Sequence, residues 1–282
     1  MLVYASTLNT VNMSFELYLK TPNAISTGKL YTSKIDVPFS NEKRTIRVYV
    51  PDELDKTKKY KVLVMADGQN LVDKYTTAFG EWNFDEVLEK MYLQGYEKII
   101  LVGIDSPNDD LKRMIELAPN IKTSRFEGHS FIGVADRYIN FIFDELLPYV
   151  SKYFPISLNK LDIGIGGSSM GGLMSFYAAI IRGNDFKFCL SFSPAFLLYS
   201  NKKLIEMIND ININNLPKIF FFVGGEGFEA SFVDKTLKMY NSLKKLGMNK
   251  DNLRLIYDSD KIHHESSWNA YLEESLSFFL NK

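Results

Sequence analysis

Six short apolar runs dominate this chain: 61–66 (KVLVMA), 98–104 (KIILVGI), 161–166 (LDIGIG), 187–193 (KFCLSFS), 217–223 (PKIFFFV) and 252–257 (NLRLIY). Strands of this kind are apolar on both faces, so the sheet they build must be covered above and below. Segments with helical spacing lie between and after them, at 83–94, 133–152, 170–182, 230–247 and 266–280. Regular alternation of strand and helix predicts a mostly parallel sheet with helices on both faces. Ahead of these runs, 28–36 and 44–50 alternate polar and apolar residues around the turn-forming SNEK, which predicts an antiparallel hairpin at a sheet edge. The fold class is therefore α/β, with about eight strands. Residues 105–132 show little periodicity and hold Pro107, Pro119 and Gly128, so they read as a long surface loop able to shape a binding site.

Composition narrows the chemistry. Thirty-three basic residues against 34 acidic ones leave a net charge of -1, which gives no field to gather nucleic acid or a membrane surface. A single cysteine, Cys189, excludes an internal disulfide and any cysteine-rich metal site. Imidazole chemistry is confined to His129, His263 and His264. The first residues lack the basic and apolar regions of a signal peptide, and no apolar stretch reaches membrane-spanning length, so a cytoplasmic location is expected.

The run 161–166 leads directly into Gly166, Gly167, Ser168, Ser169, Met170, Gly171 and Gly172, followed by a helical segment. The pattern G-x-S-x-G fits one register, Gly167, Ser169 and Gly171, which makes Ser169 the candidate nucleophile. A serine on a tight strand-to-helix turn projects its hydroxyl from the sheet, and flanking glycines remove side chains that would collide there. The helix that follows offers free N–H groups, so the Met170 N–H is a candidate oxyanion donor. A dinucleotide fingerprint on Gly164, Gly166 and Ser169 fails at its third position and lacks the acid needed about 20 residues on.

A second oxyanion donor is expected after the run 61–66, where Asp67, Gly68, Gln69 and Asn70 stand. Gln69 would turn its N–H inward, while Asp67, Gly68, Asn70, Trp82 and His264 are expected to line the substrate site. A general base should come late in the chain, and either His263 or His264 occupies that place. Its carboxylate should follow the run 217–223, where Glu226, Glu229 and Asp234 are the candidates. Aromatic residues near the expected loops, among them Tyr75, Phe79, Trp82, Phe126, Phe131, Phe196 and Tyr199, would suit an aryl or sugar ester.

Taken with VMADGQNLVD (64–73), AFGEWNFDEVLEKM (78–91), IILVGID (99–105), the stretch holding Arg113 and Glu116, VADRYINFIFDELLPYV (134–150), GGSSMGG and HHESSW, the sequence resembles the "Putative esterase" family of α/β-hydrolases, related to esterase D, enterochelin esterases and feruloyl esterases. The resemblance implies an α/β-hydrolase fold over residues 28–282, preceded by an extension at 1–27. It implies a serine esterase with no metal or organic cofactor, acting on a small-molecule ester, with assembly into a homodimer left open. By that resemblance Ser169 is the nucleophile and His263 the base. His264 then stands where the family has asparagine. Two other readings stay open: a non-catalytic hydrolase-fold binding protein, and a peptidase or acyltransferase using the same serine.

Overall fold

The apolar runs pair side by side in one sheet. The computed structural model describes residues 16–17, 25–55, 57–77, 79–124 and 130–282. Its strands are β1 (Glu16–Leu17), β2 (Lys29–Asp36), β3 (Lys43–Val50), β4 (Lys61–Ala66), β5 (Ile99–Ile104), β6 (Ile163–Ser168), β7 (Phe188–Phe192), β8 (Lys218–Gly224) and β9 (Leu253–Asp258). They lie in the order β1-β2-β3-β5-β4-β6-β7-β8-β9. Strands β4 to β9 run parallel, whereas β2 and β3 form the predicted antiparallel hairpin, and β3 docks antiparallel on β5. Beyond the expected eight strands, the two-residue β1 pairs with β2 at Glu16 and Leu17, inside the segment read as an extension. Two residues carry no periodicity that could have announced it.

The continuous apolar character of the central strands follows from the pleat. On β4, Val62, Val64 and Ala66 enter one core while Leu63 and Met65 enter the other. Helices cover both faces: α1 (Phe84–Leu93), α2 (Asp110–Leu117), α3 (Ala135–Phe141), α4 (Leu147–Val150), α5 (Met170–Arg182), α6 (Asn201–Glu206), α7 (Ala230–Lys245), α8 (Glu265–Asn269) and α9 (Leu272–Ser277). Phe84, Leu88 and Met91 of α1 and Leu272 and Leu276 of α9 pack on one side. Ala135 and Ile139 of α3, Leu173 and Phe176 of α5 and Phe232 and Met239 of α7 pack on the other. Among the described residues, no helix is long and apolar enough to cross a membrane.

Three local expectations change. The stretch 105–132 is not all loop, because Asp109 caps α2 by accepting the Lys112 N–H. Helical periodicity is weak there because α2 turns ionic groups inward: Glu116 meets Arg44 of β3, and Arg113 meets Asp67. The segment 133–152 is α3 and α4 joined by a π turn at Ile142–Leu146. The single helix expected at 266–280 is divided into α8 and α9 at Ala270 and Tyr271.

Candidate active site

Ser169 sits at the junction of β6 and α5 with φ 56° and ψ −115°, a left-handed backbone unusual for a residue with a Cβ. That conformation is anchored on both sides, since its N–H donates to Phe192 O at 2.9 Å and its carbonyl accepts from Ala195 N at 3.0 Å. Gly167 is required by proximity: a Cβ there would stand 2.7 Å from the Gly171 carbonyl carbon. The elbow thus rests on β7 and turns the Ser169 side chain toward a cavity of about 810 Å³. The cavity is lined by Ser168, Ser169, His263, His264, Glu265 and Trp268, and by Asp67, Gln69, Asn70, Tyr75, Thr76 and Phe79. These segments follow β4, β6 and β9, at the carboxyl ends of parallel strands where such folds bind ligands.

The segment expected to supply the second oxyanion donor is a single 3₁₀ turn, Gly68–Asn70, entered through Asp67 with φ 57°. Gln69 is clamped by Ser106, donating from Nε2 to its hydroxyl at 2.8 Å and accepting its N–H at 3.0 Å. The main-chain N–H groups of Gln69 and Met170 both fall in first turns, where no intrahelical acceptor exists. Gly68 does not line the cavity. A Cβ there would strike the end of β5, 2.7 Å from Gly103, so its small size serves packing against that strand. The Asp67 carboxylate is held on both oxygens by Arg113 at 2.6 Å, which leaves it a brace for the loop.

His263 and His264, adjacent in sequence, are held in opposite ways. His263 Nδ1 bonds the Glu229 carboxylate, and its ring stacks on Phe232 with centroids 4.5 Å apart and meets Trp268 edge-on at 5.2 Å. Glu229 is fully buried, yet both oxygens are occupied: one by His263, the other by the Gly224 N–H at 2.9 Å and the Ser193 hydroxyl. Ser193 in turn accepts the Trp268 Nε1–H at 2.9 Å. Glu226 is exposed, three residues earlier, and its backbone N–H pairs with Lys261 O. Asp234 lies further along, in α7. His264 caps α8, its Nδ1 accepting the Ser266 N–H at 3.1 Å. His129 and Phe126 lie outside the described residues.

Trp82 is 2% exposed and stands behind the cavity wall, stacked on Trp268 at 5.5 Å and edge-on to Phe192 at 5.0 Å. It therefore supports the ring that supports His263, and does not itself reach the cavity. Phe196 and Tyr199 are likewise buried in the core, and Phe131 packs against it, whereas Tyr75 and Phe79 are 58% and 71% exposed on the cavity wall. Glu265 lines the cavity beside Asp67, Asp105 and Asp110; it accepts from Asn70 Nδ2 at 3.1 Å, and burial raises its pKa above the ordinary value. Cys189 is buried in β7, and burial pushes its thiol pKa up, so it presents no thiolate.

Comparison with known proteins agrees with this architecture. The family described as "Putative esterase" matches residues 39–241, from the turn between β2 and β3 into α7. The chain belongs to that family. Membership supports hydrolysis of carboxylic esters in general terms. An uncharacterized protein, YbbA, of Bacillus subtilis strain 168 is 23% identical over 205 residues, covering 70% of this chain and 80% of YbbA. The BES protein from Bacillus cereus superposes with TM-score 0.70 at 20% identity, covering 94% of this chain and 99% of that one. Siderophore hydrolase EstB from Aspergillus nidulans superposes with TM-score 0.69 at 19% identity, covering 92% and 98%. At these identities the structural likeness speaks for the shared fold.

Within this member of the Putative esterase family, Ser193 and Phe232 had no recognisable sequence signal as site supports, while Arg113 had one only as part of a stretch that carries the family resemblance. Trp268 had one, because it closes the segment HHESSW.

Proposed function

We propose that this protein is a serine carboxylesterase that works through an acyl-enzyme on Ser169. The observation that carries the reading is the Glu229–His263 pair on the cavity that Ser169 also lines. With Nδ1 turned to Glu229, Nε2 of His263 is the nitrogen left to exchange a proton with the cavity. In the first step His263 Nε2 takes the Ser169 proton as Oγ bonds to the ester carbonyl carbon, whose π electrons move onto oxygen. The Gln69 and Met170 N–H groups stabilise that oxyanion. Collapse of the intermediate breaks the C–O bond, and the alkoxide departs with the proton held by His263. Water then gives a proton to His263 and attacks the acyl carbon. Breakdown of this second intermediate returns the proton to Ser169 and releases the carboxylic acid. Exposed rings at Tyr75 and Phe79 on the cavity wall suit an ester with a flat aromatic portion.

Hydrolysis of p-nitrophenyl acetate, with parent and Ser169→Ala compared at equal concentration, tests the reading. We expect turnover by the parent and background rate for the variant. A parent that does not turn over this or any other activated ester would instead favour a binding protein on the hydrolase fold.

A further inference from the structure

Away from Ser169, the start of α1 gathers acidic groups in an arrangement that hydrogen bonding does not complete. One carboxylate oxygen from each of Glu81, Asp85 and Glu86 falls within 4.8 Å of the others. Asp85 is fully buried, and its two oxygens differ sharply. Oδ2 accepts both the Ser26 N–H at 2.6 Å and the Ser26 hydroxyl at 2.9 Å. Oδ1 is buried and has no hydrogen-bond partner. Asp73 is 1% exposed and has a second such oxygen, Oδ2. A buried carboxylate oxygen without a partner is costly, and a native fold normally supplies a donor or an ion for it.

We infer that Glu81, Asp85 and Glu86 form a binding site for one Ca²⁺, with Asp85 Oδ1 as its buried ligand. The donors are all carboxylate oxygen, the preference of a hard cation, and nitrogen or sulfur ligands for zinc or copper do not enter the cluster. Oxygens within 4.8 Å of one another can all be reached by one ion, and Ca²⁺ accepts the irregular carboxylate coordination that one buried, one half-buried and one exposed side chain offer, whereas Mg²⁺ demands a near-ideal octahedron and keeps its waters. The site would join three pieces of chain: Ser26 before β2, the first turn of α1, and Glu81 at the end of the segment carrying Tyr75, Thr76 and Phe79 to the cavity. Its role is to brace that segment. The family resemblance implied no metal or organic cofactor, so this site departs from that expectation, at residues that do not line the Ser169 cavity.

The test uses the full chain freed of metal with a chelator. Ca²⁺ is titrated by calorimetry and by thermal unfolding with Mg²⁺ as control, and Tb³⁺ serves as a luminescent probe excited through the adjoining Trp82. We expect one Ca²⁺ per chain, a Tm raised by several degrees with a smaller Mg²⁺ effect, and sensitised Tb³⁺ emission displaced by Ca²⁺. Glu86→Gln changes an exposed side chain that should fold normally, and Glu81→Gln a half-buried one; each should weaken Ca²⁺ by about tenfold or more. No calorimetric signal and no Tm shift would overturn the site. So would Ca²⁺ binding that both variants leave unchanged, since the ion would then lie elsewhere. A Tm raised by either variant and insensitive to Ca²⁺ would show carboxyls sharing protons, and would also overturn it.

Discussion

His263 and His264 differ by one position and by everything that surrounds them. His263 is sandwiched between Phe232 and Trp268, with Nδ1 committed to a buried carboxylate. His264 commits its Nδ1 to a backbone N–H, the part that asparagine plays well at a helix N-terminus. This explains how a histidine can replace the asparagine of the family's motif: the position needs an acceptor one short side chain away, and a neutral imidazole provides it. What a histidine can do is decided by the partner of its inner nitrogen. The predictions that follow attack that contrast, beginning with the largest effect.

His263→Ala should lower kcat/KM by about 10⁴-fold, as loss of a triad base does, while His264→Asn should cost under about tenfold. Steady-state kinetics on one activated ester read both, and equal losses would dissolve the contrast. Glu229→Gln keeps the shape but changes what faces Nδ1, so a fall of about 10²–10⁴-fold in kcat with little change in KM is expected. Ser193→Ala removes the hydroxyl that joins Trp268 to Glu229, and the same assay should show a loss of about tenfold.

The smaller effects concern stability. His264→Ala removes the α8 cap and should cost about 1 kcal/mol in denaturant unfolding, whereas His264→Asn should restore it. Glu265 supplies a pH signature. Its folded pKa is raised, chiefly by burial, so the folded chain keeps a proton that the unfolded chain has already released. Stability must therefore fall as pH rises from the unfolded pKa of Glu265 through its folded one. A Tm profile against pH should flatten across that window in Glu265→Gln, and an unchanged slope would remove Glu265 as its source.

Much of this was readable from the residues alone, for physical reasons. Strands β4 to β8 announced themselves because a sheet covered on both faces needs uninterrupted apolar runs, as Val62 to Ala66 illustrate, whereas β9, expected to be covered likewise, is a half-exposed edge strand. Ser169 announced itself because its turn tolerates glycine and little else at Gly167. The choice between Glu226 and Glu229 could not be read in GGEGFE, since it depends on where a 3₁₀ turn at Gly227–Glu229 brings the chain against α7. Asp67 lines the cavity as expected, but its ion pair with Arg113 could not be read, because that partner is 46 residues away on a helix that turns ionic groups inward. Trp82 read as a wall of the cavity, yet aromatic residues near loops are often core, and only Trp268 standing in front of it decides the matter.

The central claim is that Ser169 is acylated with His263, which lines the same cavity, as its base. Reaction with a fluorophosphonate probe followed by peptide mass spectrometry tests this most directly. We expect one adduct per chain, mapped to Ser169, lost in Ser169→Ala and slowed by orders of magnitude in His263→Ala but not in His264→Asn. Labelling that persists in Ser169→Ala, or that His264→Asn suppresses as strongly as His263→Ala, would contradict it.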